Sequence, residues 1–209
     1  MSPRGRRRAG SPDAREAILV AARKAFGRDG YDTSLRGVAR DAGVDPALVH
    51  HYFPERAKLF VESVLGSALG EGMDPSLLAG LDKLPPEQRG AELVRLFITQ
   101  WDKLGADRFA AVIRAALGNS VVLARVRTLI VGALVMPVVA RVAPDRAQLR
   151  AHLVVSQLIG LGLARWVAKL DAVAGASAEV LVAAVGPTIQ RYMTGEIGGQ
   201  ADVEVGAAE

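Results

Sequence analysis

The sequence predicts an all-α protein, with a small N-terminal three-helix domain followed by a larger C-terminal helical bundle. Apolar residues recur at three- and four-residue steps along most of the chain, which is the spacing of a helix with one buried face. No segment shows the alternation of polar and apolar residues that is typical of a β-strand. The chain has 209 residues, 50% of them hydrophobic, so both parts can bury a core.

The first predicted helix covers residues 13–28 and ends before Gly30. Its apolar face consists of Ile18, Leu19, Ala22, Ala25 and Phe26. A second helix is predicted over residues 35–42, because the hydroxyl side chains at residues 33–34 are cap candidates. Gly43 ends it, since glycine readily adopts the positive φ that a helix C-terminus often needs.

A third helix is predicted over residues 47–52. Asp45 can cap it, and Pro46 suits the first helical turn. Only a tight turn can therefore join it to the second helix. A fourth helix is expected to follow Pro54 and to continue towards Leu69.

Five further helices are predicted in the C-terminal part, separated by glycine or proline. They cover residues 87–104, 107–117, 120–142, 146–170 and 177–194. Pro137 and Pro187 lie inside two of these segments. Because proline lacks a backbone donor and clashes with the preceding turn, we expect a kink or a break at each.

Positive charge is concentrated in the N-terminal part. Residues 1–60 carry 12 Lys+Arg against 7 Asp+Glu, whereas residues 61–209 carry 14 against 15. This asymmetry indicates that the N-terminal part meets a polyanion, although many basic segments are only solvated. The arginines at residues 4–8 leave the same two alternatives open, an arm that contacts DNA or a solvated tail.

Composition and motifs exclude several functions. The chain has no cysteine, which rules out disulfides, thiolate zinc sites and cysteine nucleophiles. It contains no G-x-S-x-G, H-E-x-x-H, Walker or dinucleotide-binding motif, so we expect neither an enzyme nor a cofactor. The long uncharged stretch at residues 128–140 is shorter than the roughly 20 residues that cross a bilayer and is expected to be a buried helix. With no secretory signal, the expected location is the cytoplasm, or the nucleoid when the protein is bound to DNA.

The second and third predicted helices have the arrangement of a helix-turn-helix unit. In such a unit the first helix lies across the phosphate backbone, and the N-terminal residues of the second contact base edges in the major groove. The turn sequence Ala42-Gly43-Val44 would also suit a plain helical hairpin. The turn alone therefore does not decide between the two.

Residues 33–53, TSLRGVARDAGVDPALVHHYF, resemble the DNA-binding segment of the TetR family of bacterial regulators. The resemblance extends over roughly residues 13–65 and implies a DNA-binding head. The residues that match phosphate-binding positions of the family, or that can add a cationic contact, are Thr33, Ser34, Arg36, Tyr52 and Arg56. Base contacts would fall to the start of the third helix, at Asp45, Pro46, Ala47, Leu48, His50 and His51.

These base-contact candidates are poor hydrogen-bonding groups, so specificity is expected to depend on apolar contacts and DNA shape. Gly37 and Glu55 depart from the family pattern at the starts of two helices. We expect the capping of these two helix starts to be weaker as a result. A metal site at the two adjacent histidines is not expected, because neighbouring helical residues point about 100° apart.

The C-terminal part resembles, more loosely, a ligand domain of the same family. The helix over residues 146–170 has two apolar faces, so it must pack against its own domain and against a partner. With the last helix it would form a four-helix bundle across a twofold axis. The predicted dimer interface comprises Leu149, Leu153, Ser156, Gly160, Leu163, Val167, Leu181, Val185, Ile189 and Tyr192. The predicted ligand pocket comprises Phe97, Gln100, Trp101, Phe109, Ile113, Arg114, Leu134 and Val135. Any of these residues can instead belong to the core of a single chain.

The predicted organisation has four parts. They are a disordered basic arm at residues 1–11, a helix-turn-helix domain at 12–60, a ligand-binding and dimerisation domain at 61–194, and a disordered tail at 195–209. The resemblance implies a homodimeric repressor that binds a near-palindromic operator in double-stranded DNA and is released by an unidentified small molecule. An activator, or a DNA-binding protein without a ligand, is the alternative. No contact with a membrane is expected.

Overall fold

The computed structural model describes residues 12–65 and 80–198, and every regular element within them is helical. This confirms the all-α prediction. The N-terminal helices are α1 (Pro12–Asp29), α2 (Leu35–Ala42), α3 (Pro46–Tyr52) and α4 (Arg56–Val64). The predicted continuation of α4 beyond Leu65 lies outside the described residues.

Local hydrogen bonds explain where α2 and α3 begin. Ser34 Oγ accepts from the backbone N–H of Gly37 at 3.3 Å, and Asp45 Oδ1 accepts from that of Ala47 at 2.9 Å. Gly43 closes α2 with φ +67°, the left-handed conformation that favours glycine. The tight turn of the helix-turn-helix unit follows directly from these three residues.

The C-terminal body contains six helices with both ends among the described residues, besides the short 3-10 helix Pro86–Gln88. They are α5 (Arg89–Leu104), α6 (Ala106–Gly118), α7 (Ser120–Val142), α8 (Ala147–Gly162), α9 (Asp171–Ala174) and α10 (Ala178–Thr194). A π-helical segment, Thr128–Val135, interrupts α7, and a π turn, Leu163–Val167, continues α8. The single helix predicted to reach residue 170 ends earlier, because Lys169 adopts a φ of +50°. A separate short helix, α9, then begins.

The two internal prolines behave differently. Pro137 lies where the π segment of α7 returns to an α-helix, so it coincides with an irregularity, as predicted. Pro187 lies inside α10, which continues through it without a break. The predicted alternative of a break at Pro187 is therefore wrong.

One apolar core runs from the head into the body. Phe26 and Phe60 of the head belong to the same buried cluster as Trp101 and Phe109 of the body, with the fully buried Leu65 at the end of α4. A second cluster fills the space between α5, α7, α8 and α10. Shared burial couples the head to the body.

The helices α5 and α10 cross at very short range. A Cβ added at Gly90 would lie 2.5 Å from the backbone nitrogen of Gln190, and one at Gly186 would lie 3.0 Å from Cα of Ala91. The Gly90 N–H also donates to Gln190 Oε1 at 2.7 Å. Two glycines thus let the backbones approach, and this fixes which face of α10 lies inside.

The helix α7 is less buried than the sequence predicted. It is the one helix in the described residues that is long and apolar enough to span a membrane, and 22% of its most apolar window is buried. Such a helix is weak evidence of a membrane span, because core helices meet the same criteria. Here Val122, Val126 and Val139 pack inward, whereas Val121 and Leu123 are exposed. The expectation of a buried helix is correct for one face only.

The chain remains packed on the body beyond the end of α10. Ile197 is buried, and Arg146 donates to the carbonyl oxygens of Ile197 at 2.7 Å and Gly198 at 3.3 Å. The predicted disordered tail therefore begins too early at residue 195. Its remainder, and the predicted basic arm at residues 1–11, lie outside the described residues.

Candidate nucleic-acid interface and ligand cavity

The N-terminal end of α3 is open to solvent. The exposed residues predicted to meet DNA there are Asp45, Pro46, Ala47, His50 and His51. Leu48 is 8% exposed, because helical spacing turns it with Val49 into the core of the head. Leu48 thus packs in the core of the head, and its predicted base contact stays a prediction.

The start of α2 carries the exposed side chains of Ser34 and Arg36. Thr33, predicted to contact a phosphate, is instead buried, and its hydroxyl donates to Asp29 Oδ2 at 3.3 Å. A hydrogen bond from Arg28 is the main reason why the pKa of Asp29 lies below its ordinary value. Thr33 therefore holds the loop before α2, while Ser34 and Arg36 face outward.

Arg56 has an intramolecular role that the sequence did not indicate. Its guanidinium donates to the carbonyl oxygens of Tyr31 at 3.1 Å and Thr33 at 3.0 Å, and it lies 5.9 Å from the centre of the Tyr31 ring. These contacts fasten the loop before α2 to the start of α4. The predicted phosphate contact by Arg56 would compete with them. Tyr52, half-buried, lies with its ring 5.3 Å from that of His51.

The folded head is electrically balanced. Residues 12–65 carry eight Lys+Arg and eight Asp+Glu. Arg28 pairs with Asp29 at 2.7 Å, and Arg40 lies 3.6 Å from Asp41. No carboxylate pairs with Arg36 within the parts of the chain that the structure describes. Attraction to a polyanion therefore depends on the placement of such cations, and on the arginines at residues 4–8.

As expected from its departure from the family pattern, Glu55 makes no side-chain cap hydrogen bond at the start of α4. It pairs instead with Arg125 of α7. Gly37 leaves the cap by Ser34 in place, because the cap needs only its backbone N–H. Glu55, one of the two departures from the family pattern, thus forms a salt bridge between the head and the body.

A cavity of about 250 Å³ lies between α5, α6, α7 and α8. Six of the eight residues predicted for a ligand pocket line it: Phe97, Trp101, Phe109, Ile113, Leu134 and Val135. Gln100 and Arg114 do not line it, and Arg114 is exposed on another face of α6. The two polar groups of the predicted pocket are therefore outside the cavity, and its wall is almost entirely apolar.

Four aromatic rings form one side of the cavity region. The ring centres of Trp101 and Phe109 are 4.9 Å apart, and those of Phe109 and Trp166 are 5.0 Å apart. Phe97 lies 5.4 Å from Trp166. These edge and tilted contacts are the favourable ones for aromatic rings, so the wall is well packed.

Trp166 is held by a polar group that the sequence did not indicate. Its indole N–H donates to Asp102 Oδ1 at 2.8 Å, and Arg165 pairs with the same carboxylate at 2.9 Å. Burial favours the neutral form of Asp102, but the hydrogen bonds from Arg165 and Trp166 outweigh burial and lower its pKa. Since 63 residues separate Asp102 from Arg165, no local pattern indicated the pair.

Gly162 gives Phe109 its place in the wall. A Cβ at Gly162 would lie 2.3 Å from Cζ of Phe109 and 2.8 Å from Cε2. The ring thus lies directly on the backbone of α8, where α8 passes into its π turn. π segments are frequent at functional sites, and both of those described here contribute a wall residue, Leu134 and Leu163.

The predicted interface residues fall into two groups. On α8 and its π turn, the open face carries Leu149, Leu153, Ser156, Gly160 and Val167, all exposed or half-buried, whereas the half-buried Leu163 lines the cavity. On α10, Val185 and Tyr192 are half-buried, whereas Leu181 and Ile189 are buried in the core of the single chain. The close contact of α10 with α5 turns these two inward. The exposed residues of α10 include Val180, Ala183, Ala184, Pro187 and Arg191.

Known proteins match both parts of the chain. Residues 18–62 match the family described as bacterial regulatory proteins, tetR family, and residues 87–193 match the tetracyclin repressor-like C-terminal domain. The HTH-type transcriptional regulator BetI of Rhizobium meliloti (strain 1021) is 33% identical over 100 residues, which are 47% of this chain and 46% of that protein. The match to BetI of Brucella anthropi has 34% identity over 37% of this chain and 40% of the relative. The chain thus matches less than half the length of these curated relatives.

Solved structures match over more of the chain. A TetR-family regulator from Streptomyces coelicolor A3 superposes with a TM-score of 0.65 and 28% identity, covering 90% of this chain and 99% of that one. A Rhodococcus sp. protein superposes with a TM-score of 0.64 and 17% identity, covering 88% and 100%, which supports the fold alone. Since the C-terminal family match alone spans half of the chain and the N-terminal match covers the helix-turn-helix unit, this protein belongs to the tetR family, a family of transcription regulators rather than enzymes.

Proposed function

We propose that the protein is a homodimeric transcriptional repressor, which binds a near-palindromic operator in double-stranded DNA and leaves it when a small molecule binds to the body. The observation that carries the proposal is the exposed N-terminal end of α3, set by the Gly43 turn behind α2. This is the geometry with which helix-turn-helix proteins enter the major groove. Membership of the tetR family supports the same use.

The exposed side chains divide into two tasks. Ser34 and Arg36 at the start of α2, together with the helix-end amides, suit phosphate oxygens. Ala47 can contact a thymine methyl group, and His50 or His51 can donate to guanine or to a phosphate. Thr33 and Arg56 act indirectly, by holding the loop that positions α2.

A dimer follows from the open faces of α8 and α10. Small residues on both, including Ser156, Gly160 and Ala184, permit the close approach of partner helices. Two heads on a twofold axis would then meet two half-sites. Ala184→Glu is expected to give a monomer in sedimentation experiments, whereas Ala133→Glu, the same change on an exposed part of α7, leaves the dimer intact.

The first experiment is selection of DNA from a random pool by the purified protein at roughly 150 mM salt, since specific affinity has a meaning only at a stated salt concentration. We expect a near-palindromic motif. Arg36→Ala should weaken binding to it severalfold and reduce the salt slope by about one. Lys103→Ala removes one positive charge from the body and serves as the matched control. Recovery of bulk, salt-sensitive binding without any motif would contradict a specific repressor.

The basic arm has a separate test. If the arginines at residues 4–8 contact phosphates, deletion of residues 2–11 reduces the salt slope by about three to four, because each phosphate contact contributes about 0.9. An unchanged slope would identify a solvated tail. Neither result alters the assignment of the α3 surface.

The sign of regulation is decided in cells. A reporter behind the selected operator should be silenced by the protein and restored by ligand. Loss of reporter output upon deletion of the protein would identify the alternative, an activator with the same head. Constant silencing in the presence of every ligand that binds the body would identify a ligand-independent repressor.

A further inference from the structure

We propose that the cavity between α5, α6, α7 and α8 takes an uncharged, apolar ligand of about ten non-hydrogen atoms, with at most one hydrogen-bond acceptor. The inference rests on the proposed function, since it names the class of molecule that would act on this regulator. It rules out the ionised metabolites that a pocket containing Gln100 and Arg114 would have suited. The cavity wall, the cavity size and its opening each support it.

Within residues 12–65 and 80–198, the wall gives a charged ligand nothing to pair with. Every lining side chain in these ranges is aliphatic or aromatic, and the indole N–H of Trp101 is the only polar side-chain atom among them. The nearby carboxylate of Asp102 is already used by Arg165 and by the indole of Trp166. Burial of an unpaired carboxylate or ammonium group is strongly unfavourable, so an ionised compound would not enter.

The volume sets the size of the ligand. An apolar cavity of about 150 Å³ accommodates benzene, so a cavity of this kind holds roughly one ring atom per 25 Å³. At about 250 Å³, the present cavity holds about ten such atoms. The rings of Phe97, Trp101 and Phe109 on one side favour a flat or aromatic molecule.

The cavity opens at the turn between α6 and α7. Leu117 and Leu123 both line it, and both are exposed, at 81% and 47%. The apolar wall therefore continues to the surface at these two leucines, which form an apolar entrance. Leu65, at the end of α4, lines the same cavity, so an occupant would touch the helix that leads to the head.

The test uses two probes of the same ring system, naphthalene and sodium 2-naphthoate. Binding to the full-length protein is followed by the shift of its thermal unfolding temperature and by calorimetry. We expect naphthalene to bind and to saturate, and 2-naphthoate to bind at least tenfold more weakly. Equal or tighter binding of 2-naphthoate would overturn the proposal.

Variants locate the bound probe. Ala116→Leu fills part of the cavity and should weaken naphthalene at least tenfold, whereas Ala111→Leu, on another face of α6, should leave its affinity unchanged. Should Ala116→Leu lose its helical circular dichroism, Ile113→Ala replaces it. This variant enlarges the cavity and should gain affinity for the three-ring hydrocarbon phenanthrene. Unchanged affinities in the folded variant would place the probe elsewhere and refute the proposal.

Release of the operator is measured separately, by fluorescence anisotropy of labelled DNA. If naphthalene binds in the cavity without releasing DNA, the ligand class stands and release by this class of ligand is contradicted. If a charged compound releases DNA equally well from the wild type and from Ala116→Leu, regulation by a ligand stands. The proposal that this ligand is uncharged and apolar is then overturned.

Discussion

Replacement of Gly162 by alanine tests the packing on which the cavity depends. The added Cβ would lie 2.3 Å from Cζ of Phe109, whereas carbon atoms in favourable contact are about 3.5–4.0 Å apart. The ring must therefore move by more than about 1 Å. Trp101 and Trp166 confine it on two sides, with ring centres 4.9 and 5.0 Å away, which leaves the cavity as the direction of movement.

The expected loss of stability follows from two opposing effects. Overpacking of a core costs about 1–3 kcal/mol, and the partial escape of Phe109 into the cavity favours the lower half of that range. Replacement of a helical glycine by alanine returns at most about 1 kcal/mol. Gly162→Ala should thus lower the free energy of unfolding by about 1 kcal/mol. It should also weaken naphthalene, because the displaced ring occupies its volume.

The measurement is equilibrium unfolding in guanidinium chloride, followed by circular dichroism at one fixed protein concentration, since the stability of a dimer depends on concentration. Gly27→Ala in α1 is the matched control. No atom lies within 4 Å of the added Cβ there, so propensity alone acts and the variant should gain stability. If Gly162→Ala is as stable as Gly27→Ala and binds naphthalene normally, the close packing of Phe109 on α8 is refuted.

Three other predictions concern the polar contacts of Arg56, Arg150 and Asp102. Arg56→Ala should lower the free energy of unfolding by about 1–3 kcal/mol, because two hydrogen bonds to carbonyl oxygens are lost. In the same denaturation assay, Arg36→Ala should change it by no more than about 0.5 kcal/mol. A larger loss for Arg36→Ala than for Arg56→Ala would contradict the structural role of Arg56. Arg150→Met should cost about 3 kcal/mol or more, since this buried guanidinium donates to three carbonyl oxygens and one carboxylate, and a loss below 1 kcal/mol would contradict that. Asp102→Asn should be less stable than the wild type at pH 7. The pKa of Asp102 is lower in the folded state than its ordinary value of 3.8, so its ionised carboxylate stabilises the folded state at any pH above 3.8. That difference should shrink as the pH falls below about 4 through the folded pKa, and a difference that stays constant down to pH 2 would show that the pairing with Arg165 is not its source.

The parts of the head that the sequence predicted correctly depend on short-range chemistry. The caps by Ser34 and Asp45 and the left-handed Gly43 each involve residues no more than four positions apart. Periodicity likewise located the helices to within a few residues. Such features are properties of a segment, so they can be inferred before the fold is known.

The residues whose surroundings the sequence did not indicate depend on contacts between distant segments. The sequence places Arg56 at the start of a helix, where exposure is expected. In the structure its guanidinium donates to the carbonyl oxygen of Thr33, 23 residues earlier in the chain. Leu181 and Ile189 suit an interface by helical spacing, but Gly90 lets α5 approach that same face of α10. An amphipathic pattern shows that a face is buried and does not say what buries it.

The inner and outer residues of α7 connect the two halves of the proposed function. Val126 lines the cavity, whereas the neighbouring Arg125 pairs with Glu55 at the start of α4. Leu65, one residue beyond the end of α4, also lines the cavity. A ligand can release DNA only if it binds more tightly when the heads have left their DNA-bound positions, because equal affinity for both arrangements shifts neither. The two ends of α4 meet α7 and the cavity, so we expect an occupant that displaces Leu65 or α7 to tilt α4.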